Sequence, residues 1–331
     1  MHTVFTSMDR VLSAMPLFAM AFLLAFGARW LFQKTTSYCI DDELTERDNP
    51  AFGVAFAGYM VGVAIALSGA LYAWEGVSLF EELLTIGLFG VAAAGLMRLS
   101  LWINDRAILH SFPIEKELVE DRNAGTGFVV AGSSIATGFM LRGVLNGFSS
   151  SVWMGLRDVA IYFLVGQAIL VAGGWVYTKF AGYDVHEEIG AKDNVAAGVS
   201  FGGYLAALGY IASVALTGAT SDWMDEVATS LVLAFFGVVL LITARTVADL
   251  FLLPKSPLAK EVAVDRNKAA GAVAAASFLL VAVLFGASVQ PDRTLHSVAV
   301  TAPSTEEPID GATAPEEAEP RDTDDGAGGA Q

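Results

Sequence analysis

A single cysteine, Cys39, leaves this chain without an intrachain disulfide. Histidine is nearly as scarce. His2, His110, His186 and His296 are scattered, and with one cysteine they form no motif of metal-ligand spacing. Charge is thin as well. Only 16% of the 331 residues are Asp, Glu, Lys or Arg, where a soluble domain carries about 25%. Among them 19 basic residues face 35 acidic ones, a net charge of −16. Nucleic-acid binding needs a basic surface, so a nucleic-acid partner is excluded. No nucleophile–base pair, phosphate loop or metal cluster can be read from the sequence, so the chain is expected to be no enzyme and to carry no cofactor.

What the chain does have is apolar length. Hydrophobic residues make up 54% of it, and the mean hydropathy is +0.55. A helix needs about 20 apolar residues to cross a bilayer. Runs of that order predict eight spanning helices, at 11–33, 51–72, 83–104, 124–144, 155–180, 195–217, 227–253 and 268–289. The first run has no basic leading segment, since Asp9 offsets Arg10, and it exceeds a typical signal core of about 7–15 residues. It is read as the first span.

The spans are not independent. Before the second, fourth, sixth and eighth stand DDELTERDN, EKELVEDRN, HEEIGAKDN and AKEVAVDRN. Each time a glutamate lies six residues before an asparagine: Glu43 and Asn49, Glu117 and Asn123, Glu188 and Asn194, Glu261 and Asn267. The repeating unit is a two-helix hairpin, present four times. The residue before Asn alternates: Asp48, Arg122, Asp193, Arg266. The order A-B-A′-B′ thus predicts a four-helix repeat at 1–146 duplicated at 147–290, both copies inserted the same way. Residues 291–331 hold ten acids against Arg293 and Arg321, amid Pro, Ala, Gly and Thr. Such a segment is expected to be a disordered acidic tail. The fold class expected is an all-α polytopic membrane protein.

The asparagine motif supports two readings. Asn is a preferred N-cap, and Pro50 after Asn49 suits the first helical position. Capping alone, however, does not require a glutamate at a fixed distance. If the hairpins meet around an axis, Asp48 and Asp193 would pair with Arg122 and Arg266 in a ring of charge that latches the assembly or selects ions. Behind each Asn, small residues recur. Gly53, Gly127, Gly198 and Gly271 stand at +4, and Ala57, Ala131, Gly202 and Ala275 at +8. At +15 stand Ala64, Gly138, Gly209 and Ala282. These offsets share one helical face, and small faces let helices approach closely in lipid. The even-numbered spans are therefore expected inside and the odd ones toward lipid. Arg98 with Asp105 and Arg245 with Asp249 lie near the motif-side ends of the third and seventh spans; Arg245 and Asp249 are spaced to pair.

Basic residues gather on the motif side, among them Lys34, Arg47, Lys116, Arg122, Lys179, Lys192, Lys260 and Arg266, while Arg10, Arg142 and Arg157 lie opposite. The positive-inside rule then places the motif loops in the cytoplasm and both termini outside. An acidic loop, E-[LIV]-x-x-x-x-N, and a Gly-rich helix such as NVAAGVSFGGYLAALGYI together resemble the YjfL-like inner-membrane proteins, domain of unknown function 350. The likeness runs from about residue 11 to 290 in two copies. It implies a bacterial inner-membrane location and a four-helix unit, and it transfers no catalytic residue. Two functions are expected from the residues: transport or channel-like passage of a cation or small polar solute, or a non-catalytic scaffold that recruits a partner through its loops or tail. The bilayer is the first partner, and a second copy or another membrane protein the next.

Overall fold

Apolar runs closed by strong caps become long helices, and the chain is helical throughout the segments described. The computed structural model describes residues 2–71, 78–146, 151–216, 223–252 and 254–289. The expected acidic tail lies outside them. Among the described residues, eight helices are long and apolar enough to cross a membrane. They are α1 (His2–Lys34), α2 (Pro50–Ala70), α3 (Leu79–Ala107), α5 (Ala124–Leu145), α6 (Val152–Phe180), α7 (Val195–Ala215), α8 (Trp223–Val247) and α10 (Lys268–Ser288). Two short helices, α4 (Ile114–Val119) and α9 (Leu258–Ala263), precede α5 and α10. One-turn π-helices at Asp42–Glu46 and Glu187–Ala191 hold the same place before α2 and α7.

The helices form two layers. In the first, α2, α5, α7 and α10 stand side by side, each packed along its length against the next. The second contains α1, α3, α6 and α8, in that order, against one side of the row. A charge ring would require the hairpins to meet around an axis; the structure has an open row, with α2 and α10 at its two ends. The reason is the interface. Each even helix uses one face toward the preceding helix and a different face toward the following one, so four of them run on sideways.

Close approach sets the row. A methyl group on Gly127 would lie 2.5 Å from the Ala51 carbonyl oxygen, and one on Gly271 at 2.5 Å from that of Ala196. Gly132 and Gly202 touch backbone to backbone, as do Gly198 and Gly125. In lipid this contact replaces the hydrophobic drive that water would supply. The two middle helices are the most enclosed, 72% of the α5 span and 78% of the α7 span being buried, against 11% for α1 and 28% for α8. The expectation that even helices are inner therefore holds for α5 and α7, while α2 and α10 are half open because the row ends there.

Candidate functional site

The four asparagines sit at one end of the row. Each is an N-cap in extended backbone conformation. The Asn49 side-chain oxygen accepts from the N–H groups of Ala51 and Phe52, Asn123 from Thr126, Asn194 from Ala196 and Ala197, and Asn267 from Ala269 and Ala270. This occupies the oxygen and leaves the amide N–H₂ to act elsewhere.

One amide hydrogen explains the glutamate. Nδ2 donates to the carboxylate six residues back, Asn49 to Glu43, Asn123 to Glu117 and Asn194 to Glu188 at 2.8 Å, and Asn267 to Glu261 at 2.9 Å. The other hydrogen crosses to the next hairpin. Asn49 donates to the Leu118 carbonyl at 2.7 Å, Asn123 to that of Ile189 at 2.6 Å, and Asn194 to that of Val262 at 2.8 Å. In every case the acceptor is the aliphatic residue directly after the next repeat's glutamate. The motif is a ladder of latches, each tying one helix start to the next.

Residues Asp48, Arg122, Asp193 and Arg266 are the only non-glycine residues with positive φ among those described, between 46° and 52°. They form the left-handed step that ends each short turn. The Asn N–H then bonds back to the glutamate carbonyl, as from Asn49 to Glu43 at 2.9 Å. The charge ring expected from their alternation is not formed: among the described residues no ion pair joins Asp48 or Asp193 to Arg122 or Arg266. The ion pairs are local. Arg47 meets Glu43 at 2.6 Å and Lys192 meets Glu188 at 2.7 Å, each four residues apart. The aspartate and arginine before Asn share a backbone task, so their sign alternates without pairing.

The other copies have no such cation. Asp121 stands where Arg47 and Lys192 stand, and Lys116 turns away to it at 3.1 Å. Burial, reinforced by Asp121 and Asp193, holds the Glu117 carboxyl above its usual range. Burial pushes Glu188 the same way, but its bonds to Lys192 and Asn194 and the nearby Arg266 outweigh that and bring it below. Glu261 is lowered chiefly by its bond from Asn267. The motif copies thus share geometry, while Glu117 is raised and Glu188 and Glu261 are lowered.

Of the small residues expected at helix contacts, Gly127, Gly198, Gly202 and Gly271 lie against the preceding helix's backbone, and Ala131 and Ala275 receive Gly58 and Gly203 from it. Gly53 and Ala57 do not. Among the described residues no helix of the row precedes α2, and their face is open. A second stripe went unread in the sequence. Positions +2, +9 and +20, such as Gly125, Gly132 and Gly143, face forward onto the next helix.

The charges near the span ends also serve backbone. Arg98 donates to the Thr35 carbonyl at 2.9 Å, and Arg245 to that of Phe180 at 2.5 Å, closing the ends of α1 and α6. Asp105 accepts from the Ile114 N–H at 3.0 Å and Asp249 from Leu258 at 2.6 Å, opening α4 and α9. The expected Arg245–Asp249 pair is not among the ion pairs of the described residues. His110 and His186, far apart in sequence, meet edge to face at 4.8 Å between ring centres. Burial and the neighbouring His110 lower the His186 imidazole.

One feature had no sequence signal. A cavity of about 220 Å³ lies between α1, α3 and the α2–α5 pair, lined by Tyr38, Phe52, Arg98, Asn104, Asp105 and Glu115 among others. Asn104 is 2% exposed, and its amide has no partner among the described residues. In the second half Ala248 precedes Asp249 as Asn104 precedes Asp105.

These elements define a class: an integral membrane protein built from tandem helical hairpins latched in a row. The chain belongs to the Domain of Unknown Function (DUF350) family, whose profile matches residues 6–145 and again 151–289. No curated protein and no solved structure matches the chain.

Proposed function

We propose that this protein is a non-catalytic membrane scaffold of a bacterial inner membrane, whose latched row of helices is a rigid platform. The observation that carries this reading is the backbone-to-backbone packing from α2 to α10. A conducting protein needs a wet passage, and pore-lining polar groups to replace hydration. Here glycines bring the even helices into contact where a passage would run. Reconstituted in liposomes at high protein content, the chain is expected to pass K⁺, Na⁺ and spermidine no faster than empty vesicles do. Saturable uptake of any of them sinks the scaffold reading.

A second reading, handling of a small polar solute, draws on the cavity beside Asn104, where an unpartnered buried amide stands ready to bind one. That cavity belongs to the first half and lies beside the row, so it offers a pocket without a path.

The basic residues of the motif loops support a cytoplasmic position for this end of the row. Cys39 is exposed at that end and serves as a natural reporter. A membrane-impermeant maleimide is expected to label it in inside-out vesicles and to leave it unlabelled in intact spheroplasts. The reverse pattern turns the topology over.

A further inference from the structure

We propose that a second copy of this chain docks its α2 edge onto the α10 edge of the first, continuing the row with the joint already used three times inside the chain. This deepens the scaffold reading by naming its partner. The test below is separate, since a chain that conducts nothing is free to be a monomer.

The ladder is unfinished at both ends. Asn49, Asn123 and Asn194 each spend one amide hydrogen on the next hairpin. Among the described residues the Asn267 amide N–H₂ donates only to Glu261. At the other end Leu44 is the residue after Glu43, the counterpart of Leu118, Ile189 and Val262. Among the described residues no side chain donates to its carbonyl. The missing bond is from Asn267 to Leu44 of the next copy.

The faces match too. Ala269 and Ala276 on α10 are the +2 and +9 positions, and both are exposed. In the other hairpins these positions, such as Gly58 and Gly132, carry the next helix. On α2, Ala57 and Ala64 at +8 and +15 are exposed. Their counterparts Ala131 and Gly138 lie against α2. The sign before Asn runs Asp, Arg, Asp, Arg along the row. Asp48 of a second copy follows Arg266 without a break. All four even helices point the same way, so the added copy keeps its orientation in the bilayer.

One residue departs. Leu280 occupies the +13 position held by Gly62, Ala136 and Ala207. It makes the joint between copies wider at mid-helix than the joints within. A head-to-tail joint of this kind repeats, closing into a ring or running on as a filament.

The test uses the full chain in native membranes, with Cys39→Ser as background. Ala57→Cys and Ala276→Cys go into separately tagged copies expressed together, followed by mild oxidation. The expected product is a mixed disulfide dimer carrying both tags, with neither variant cross-linking to itself. Both variants in one chain give covalent oligomers beyond the dimer. Asn267→Ala, which also loses its cap, is expected to reduce the mixed product about fivefold, the worth of one hydrogen bond, with only the small loss in melting temperature that the cap accounts for. Leu280→Gly is expected to raise it. Absence of the mixed product from chains that melt normally overturns the proposal. So does self-linking of Ala276→Cys at the mixed yield, which would mean a two-fold face instead.

Discussion

Asn123→Ala is expected to destabilise the folded chain by about 3–5 kcal/mol, while Asn267→Ala costs about 1–2 kcal/mol. The two residues are the same in sequence context and in capping role, so the difference isolates the latch. Loss of either cap leaves an early helix N–H open, worth about 1 kcal/mol. At position 123 the substitution also strips Glu117 of its amide donor, and among the described residues that carboxylate makes no ion pair. It leaves the Ile189 carbonyl without its partner. Both acceptors are enclosed by neighbouring hairpins, and a buried acceptor left unmade costs about 1–3 kcal/mol. At position 267 no hairpin follows among the described residues. Glu261 has water within reach there, because this end of the row is open. Thermal unfolding of the two purified variants in one detergent measures the contrast. Equal losses would show that the cap alone stabilises the motif, and the inter-hairpin bond would be incidental.

The sequence made the spans, the hairpin repeat and the caps legible because each is a local property. Apolar length is read directly, and an Asn before a helix is recognisable whatever lies beside it. The glutamate's fixed spacing was visible, but its reason was not. Both hydrogens of the Asn amide had to be placed, and one of them reaches a carbonyl 69 residues away. The alternation of Asp and Arg invited pairing because charge suggests partners. In the structure those four positions are fixed by backbone torsion instead, with φ near 50°. The small residues at +4 and +8 were legible as a face; the matching face at +2 and +9 was not, since a row needs two faces and a ring hypothesis does not separate them. Arg98 and Arg245 read as charges near span ends, with Arg245 spaced to pair, and each closes the end of a neighbouring helix in its own layer, α1 for Arg98 and α6 for Arg245. The Asn104 cavity had no signal: nothing in a lone Asn near a helix end says that its neighbours leave room.

Gly132→Leu is expected to part α5 from α7 and to destabilise the fold by more than about 3 kcal/mol, the upper range for overpacking. Gly132 lies against the backbone of Gly202, including its carbonyl oxygen, and backbone cannot rotate aside as a side chain does. Even a methyl group has no room there. The contact joins the two most enclosed helices, which also come from the two family repeats. Lost close approach would be felt along the whole joint, because the latch from Asn123 to Ile189 depends on the same spacing. Gly95 in α3 supplies the control. A side chain there meets nothing within 4 Å, and leucine favours helix over glycine by somewhat less than 1 kcal/mol. Gly95→Leu should therefore melt at or slightly above the parent temperature. Both variants add the same atoms to a membrane helix, so general hydrophobicity cannot account for opposite outcomes. A Gly132→Leu chain that melts with the parent would mean that α5 and α7 separate at no cost, and the row would then not be what holds the two repeats together.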